Sequence, residues 1–596
     1  MEVGSSMAES DSPTTEVPAA TRWIAIVGLV ALCALLVALF APLFHAPLFS
    51  DDTFSVNQVT KMEHWTEALQ PDAFSYFRPV KNLFFFIMVK SGAMHPAYHM
   101  ATVAAYLLAT IGVFILCQRL LGNPLWGLAA AAIWALSASN VTIGAWASCL
   151  NISVAAAAMT FGLWAWDKWR ETNGRPSFGI LSFVLFALAL CSYETAVSLA
   201  PLVVLLDLYR GRKLFKKGAM IRYAGIATLV ICYLLIRGLQ GADATRADNP
   251  SYALDIETWQ VSASAPYFLW THFLMWLAPW GRLECLGSYL WDLSIPAIIL
   301  PFCWLLLIGA ACLCIRFWKA GNLVIFGLAW FFIASFPSSN FIPLKNTPYA
   351  DYYIPIPAVG LALVAVAILR GLAKVIRPNS GHALGSRRLA WALIFLIAGS
   401  RVVNLTAFQG WVQAWRNPVM ILVHTAAARP YQYLSKAILS GTMLEIGKRE
   451  LAEDYAGRTL QDTEELALPF TTLGQLRYDQ GQFDEAAALF QIAANKRHLT
   501  QETRLITHFY LGRLIARDPT QADRAFAEFI EVLKYHNSKL HFQTILEASD
   551  LFDRAKRHQD RVNTLVRGLE IYPGNAQLEA QLKDARTKLS EEVETP

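Results

Sequence analysis

The residues that could do chemistry in this chain are few. Two adjacent acids, Asp51 and Asp52, follow the first long apolar run in Phe49-Ser50-Asp51-Asp52 and open a loop of about 50 residues that passes through Phe77-Arg78-Pro79 to His95-Pro96. Acids at a membrane boundary are costly unless they are solvated or used. One use is to take a proton from a hydroxyl. Arg78, Arg282 and Lys345 are the cations that could hold an anionic group opposite them, with arginine preferred where two oxygens are gripped together. Glu194 lies between two apolar runs, and Asp351-Tyr352 stands in a later polar loop. Structural readings stand beside these. The aspartates suit a solvated loop or a helix cap, and Glu194 suits a satisfied acid at a helix end. His64, His95, His99 and His272 show no metal-ligand spacing, so no metal and no cofactor is expected. The nine cysteines are scattered without a CxxC pair and read as small hydrophobes.

The elements that must position these groups are apolar helices. With 55% hydrophobic and 16% charged residues and a mean hydropathy of +0.37, the chain is too apolar for a water-soluble protein. Membrane lipid is its expected surrounding. Runs able to span, at about 20 apolar residues each, fall near 23–44, 97–117, 124–138, 145–166, 178–192, 195–209, 222–238, 296–315, 321–337, 352–370 and 388–406. The expected fold is all-α, a polytopic domain of eleven spans over 23–416 followed by a helical-repeat solenoid over 417–596. Residues 1–22 are expected to be a disordered cytoplasmic tail. The aromatic stretch 262–280 is expected to be interfacial or re-entrant.

Charge separates the parts. Residues 431–596 carry 21 Lys+Arg against 25 Asp+Glu, which leaves 29 against 20 for the rest. With the N-terminus cytoplasmic, the inside loops hold 17 basic residues and the outside loops seven, so orientation follows from loop charge. The same placement in short loops argues against nucleic acid as a partner. Eleven crossings put the C-terminal domain outside, in a bacterial periplasm ahead of the lumen of the endoplasmic reticulum.

Between Thr471 and Lys496, Leu473, Gly474, Gly481, Phe483, Ala486, Phe490 and Ala493 stand where a 34-residue helix-turn-helix repeat of the tetratricopeptide type needs them. Looser copies follow at Tyr510-Leu511-Gly512 to Phe529 and at Arg567-Gly568-Leu569. A solenoid of such repeats offers a concave face for a polypeptide.

Several motifs then align in order: the Asp51-Asp52 pair after the first span, Phe77-Arg78-Pro79 opening a helix, Tyr98-His99 leading into the second span, Ala145-Trp146-Ala147-Ser148, Tyr193-Glu194-Thr195, Asp207-Leu208-Tyr209, and Ala350-Asp351-Tyr352-Tyr353 running to Pro357-Ala358-Val359-Gly360. This order resembles the transmembrane and tetratricopeptide repeat O-mannosyltransferases and their bacterial relatives, within the type C glycosyltransferase superfamily. The resemblance implies transfer of a sugar, such as mannose, from a polyprenyl or dolichyl phosphate to a hydroxyl of an exported polypeptide. It implies Asp51 or Asp52 as general base. Arg78, Glu194, Arg282, Lys345, Asp351 and Tyr352 are the expected substrate-binding residues. The chain departs from that family where Ser137-Ala138-Ser139-Asn140-Val141-Thr142-Ile143-Gly144-Ala145-Trp146 replaces a stretch with two histidines and an acid, and where Tyr352 replaces an arginine. A non-catalytic, membrane-anchored repeat scaffold is the alternative expectation.

Overall fold

A computed structural model describes residues 18–48, 50–72, 75–171, 175–241, 258–279, 283, 299–342, 349–376, 384–428, 433–497, 501–535 and 538–594. Within the expected disordered tail, residues 1–17 lie outside the described ones, and from Ala19 the chain is helical. Every regular element among the described residues is a helix.

Among the described residues, seven helices are long and apolar enough to cross a membrane: Ala19–Leu43, His95–Leu121, Ala147–Glu171, Lys217–Leu239, Ile299–Arg316, Pro355–Ile376 and Leu384–Ala414. The pair Pro124–Ala135 and Ala138–Ala145, bent by 68°, makes an eighth if it counts as one span. The outward faces are apolar. In Ile299–Arg316 only Leu300 and Cys303 are buried, while Phe302 and Leu305 are more than half exposed. Such a face fits a membrane protein, because lipid covers it without cost.

The other expected spans fall on shorter apolar segments. The expected spans 178–192 and 195–209 fall on the helix Pro176–Ser192, which ends where Tyr193 turns extended (φ −152°, ψ 132°), and on Leu199–Tyr209, entered through a short 3-10 turn, Glu194–Ser198. The break lies at Glu194, whose carboxylate is engaged by a distant arginine. The aromatic stretch forms Thr258–Ala263 and Ala265–Leu277. At 13 residues the latter is about 20 Å long, short of a bilayer core.

The bundle has two chemically distinct ends. One gathers His99, whose ring nitrogens lie 3.1 Å from the Ala46 carbonyl and 3.2 Å from that of Ala145, together with Ser148, Asp351 and Trp411. The other gathers Arg119, Asp167, Asp207, Arg210 and Arg212. Between them helices approach closely on small residues, as where Gly327 and Gly360 face each other with no room for a Cβ on either.

The helix Leu384–Ala414 ends at the first of these ends, where Trp411 donates to Asp351 and Trp415 lies 5.5 Å from Trp146. Pro418–Ala428 follows. Its Ile421 joins the core of the apolar bundle, while Val419, Leu422 and Ala426 pack on Leu439 and Met443. Beyond it the described chain is a succession of short helices, each packed on the next. Ala467–Asp479 turns through Gly481, at φ +77°, into Phe483–Ala494. That left-handed conformation favours glycine. Phe490 fills the space over Gly474, and Phe529 does so over Gly512.

Candidate active site

The chain enters the helix Asp51–Thr60 through Ser50, whose φ of 53° is left-handed. A non-glycine residue in such a conformation carries about 1–3 kcal/mol of strain. The turn sets both aspartates in the first turn of the helix, where its dipole favours negative charge. Their surroundings differ. Asp52 is 1% exposed, and its Oδ1 accepts from the Ser148 backbone N–H at 2.7 Å. Asp51 is only partly buried. Loss of solvent is the largest influence on it and pushes its carboxyl above the usual range, against the opposing charges of Lys81 and Arg78.

Arg78 precedes the helix Pro79–Lys90, which starts on the proline that suits a first helical position. Its guanidinium holds Glu194 with both arms, Nε to Oε2 at 2.9 Å and NH2 to Oε1 at 2.5 Å. The ring of Tyr76 lies 4.1 Å from the guanidinium carbon and that of Tyr193 lies 5.1 Å away, within cation–π range. Burial alone would discharge both partners. The mutual charge outweighs it, so Arg78 is held well above its ordinary range and Glu194 below the ordinary carboxylate range.

A second pair braces the same loop. Lys81 Nζ donates to Asp72 Oδ2 at 2.5 Å, with the two residues 1% and 6% exposed. The Tyr76 N–H donates to the other Asp72 oxygen at 2.9 Å. Burial raises the Asp72 carboxyl, but Lys81 and Arg78 together hold it below the usual range.

Asp351 is fully buried, and its Oδ2 accepts from the Thr142 hydroxyl at 2.6 Å and from Trp411 Nε1 at 2.8 Å. Tyr352 stands edge-on to Tyr353, 4.8 Å away, and to Trp146 at 6.1 Å. The neutral stretch before Trp146 is closed packing: Ser137, Ser139, Asn140 and Thr142 are all fully buried, and Asn140 Nδ2 donates to the Trp134 carbonyl at 2.8 Å. Arg282 and Lys345 lie outside the described residues. Asp51, Asp52, Arg78, Glu194 and Asp351, drawn from four separate stretches, therefore share one end of the bundle. Cys149, 5% exposed, feels the charges of Asp51, Asp351, Asp52 and Arg78 together.

No family model matches the chain, and no curated protein matches it.

The geometry separates the two aspartates as sequence could not. An acid that is partly accessible and pushed toward its neutral form is nearer the working range of a general base, whereas one tied to a backbone N–H is an anchor. Asp72, Lys81, Tyr76 and Tyr193 were not among the candidates. Asp72 and Lys81 flank Arg78 at six and three residues, and that clustering of charge in a loop between apolar runs was the available signal.

Proposed function

We propose that the chain is an integral membrane glycosyltransferase that moves a sugar from a polyprenyl-phosphate donor to a hydroxyl of an exported polypeptide. The observation that supports it best is the convergence of a partly accessible, proton-attracting Asp51 with a two-armed arginine, Arg78, at one end of the bundle. In this reading the acceptor oxygen attacks the anomeric carbon and its proton passes to Asp51. The bond from that carbon to the phosphate oxygen breaks, and the electron pair leaves with the lipid phosphate. Arg78 would neutralise that phosphate, a role that preorganised cations fill well in a water-poor site. Asp52, Asp72 and Lys81 would hold the loop, while Asp351 and Tyr352 would frame the site from behind.

Eleven crossings suit this reading. Three segments below the length of a full span, Pro176–Ser192, 195–209 and Leu323–Ser338, would each run between the two ends of the bundle: Asn151 reaches the Ser192 carbonyl at one end, and the Gly321 N–H meets the Tyr209 carbonyl at the other. With the arginine end cytoplasmic, the acidic site faces a periplasm or lumen. The C-terminal helices, read as tetratricopeptide repeats, would offer the acceptor polypeptide from the same side.

The test is sugar transfer in proteoliposomes supplied with polyprenyl-phosphate sugars and a Ser/Thr-rich peptide. Asp51→Asn is expected to lower the rate by at least about a hundredfold, with the protein still inserted and folded. Full transfer by that variant would remove Asp51 as the base. Absence of transfer with every donor would favour the second reading, a membrane-anchored repeat scaffold, which the closed neutral packing of Ser137 to Thr142 also favours.

A further inference from the structure

At the arginine end, two buried carboxylates divide the cations into two sets. Asp167 is held by Arg119 at 2.6 Å and by Arg210 and Arg212, each at 2.7 Å. Asp207 is held by Arg212 at 2.9 Å and Arg170 at 3.0 Å, and accepts from the Tyr223 hydroxyl at 2.7 Å. These arginines are consumed internally. The loop they anchor continues through Lys213-Leu214-Phe215-Lys216-Lys217, and its three lysines are exposed, with no carboxylate partner among the described residues. From Leu208 to Gly241 the sequence contains no acid. Phe215 stands 88% exposed among the lysines.

A second loop repeats this chemistry beside the first. Arg316-Phe317-Trp318-Lys319 also has exposed cations and an exposed aromatic, Phe317 at 57%. It is stitched to the first loop by the hydrogen bond from the Gly321 N–H to the Tyr209 carbonyl, 2.8 Å, and Gly211 lies against Ala320. The internal ion pairs thus hold two lysine- and arginine-bearing loops in one patch from which two phenylalanines project.

The geometry points to this patch, Lys213, Phe215, Lys216, Lys217, Arg316 and Phe317, as a binding surface for the headgroups of anionic phospholipids in the leaflet at that end, with the phenylalanines seated between the chains. Charge complementarity selects the anion. Cations beside the membrane attract anionic lipid, and each lysine contributes roughly fivefold in affinity. The exposed phenylalanines select a lipid over a soluble phosphate, because an apolar ring beside cations is covered at the headgroup–acyl boundary and gains nothing from a free ion. The inference rests on the membrane reading of the apolar helices and is independent of the reaction at the other end.

The experiment is lipid retention by the full chain purified from bilayers of equimolar phosphatidylcholine and phosphatidylglycerol, with bound lipid counted by mass spectrometry. The wild type is expected to keep phosphatidylglycerol over phosphatidylcholine by on the order of tenfold, and K213Q/K216Q/K217Q to lose most of that preference. The three lysines hold no carboxylate among the described residues, so the triple variant should melt as the wild type does in pure phosphatidylcholine. Phe215→Ser should weaken retention without touching charge. Equal retention of both lipids by the wild type, or an unchanged preference in the triple variant, would overturn the proposal. Displacement of the bound lipid by inorganic phosphate would overturn the choice of a lipid.

Discussion

At the scale of single residues, Glu194 does the work a phosphate would do. It meets the guanidinium of Arg78 with two oxygens, the geometry in which arginine also binds phosphate. If Arg78 receives the donor phosphate, Glu194 must give way, and the two anions compete for one fork. Glu194→Gln should then have two linked effects. It leaves Arg78 without its charge partner, which costs about 2 kcal/mol, less than the 3–5 kcal/mol of a fully buried pair because the side chains keep 15% and 21% exposure. It also frees the fork, so polyprenyl phosphate should raise the melting temperature of the variant more than that of the wild type; equal shifts would place the phosphate elsewhere. The pH dependence has a definite sign. Because the folded protein holds the Glu194 carboxyl below its ordinary range, the pair stabilises above the unfolded value and is lost as pH falls through the folded one. Asp51 runs the other way: its raised carboxyl means that the folded state prefers it protonated, so Asp51→Asn should melt no lower than the wild type at neutral pH. Asp52→Asn weakens the acceptor for the Ser148 N–H and should melt lower.

At the scale of elements, what could be read in the sequence was local. Apolar runs announced the long helices, and Gly474 with Phe490 announced a hairpin because both lie within one 34-residue period. The break at Glu194 was legible as an acid between two apolar runs, but its partner Arg78, 116 positions away, was not. Asp167 and Asp207 were equally hidden as partners, although lone acids at the ends of apolar runs are themselves a signal. Trp411 and Trp415 meet Asp351 and Trp146 from distant positions in the chain, which no local pattern records. Of the candidate site, Asp51, Asp52 and Arg78 were legible from residue type and order. The division of labour between the aspartates depends on the fold of residues 138–149, which no local pattern encodes. The hairpin carries its own prediction. A Cβ on Gly474 would meet the Phe490 ring at 2.9 Å, so Gly474→Val should force the two helices apart and cost about 1–3 kcal/mol. Proteolysis should then cut the chain beyond Tyr433 sooner, with the apolar bundle left intact. An unchanged digestion pattern would mean that the ring can move aside.

At the scale of the whole molecule, the site and the C-terminal helices belong to one end irrespective of how many spans are counted. Seven crossings and eleven put the two termini on opposite sides, and eight would put them on the same side, so counting alone cannot relate the C-terminal helices to Asp51. The contacts can. Trp411 touches Asp351 and Thr142, the Trp415 ring lies 5.5 Å from that of Trp146, Ser148 holds Asp52, and Pro418–Ala428, which leads to the C-terminal helices, starts within a turn of Trp415. In the proposed reading, an acceptor bound by the helices after Tyr433 would therefore reach Asp51 without crossing lipid. Single cysteines placed at Asn57, at Lys216 and at Glu592, in a chain whose own cysteines are changed to serine, test this with a membrane-impermeant maleimide. Those at Asn57 and Glu592 should label from one face of sealed vesicles, and that at Lys216 only after the vesicles are opened or inverted. Labelling of Glu592→Cys together with Lys216→Cys would separate the C-terminal helices from the site.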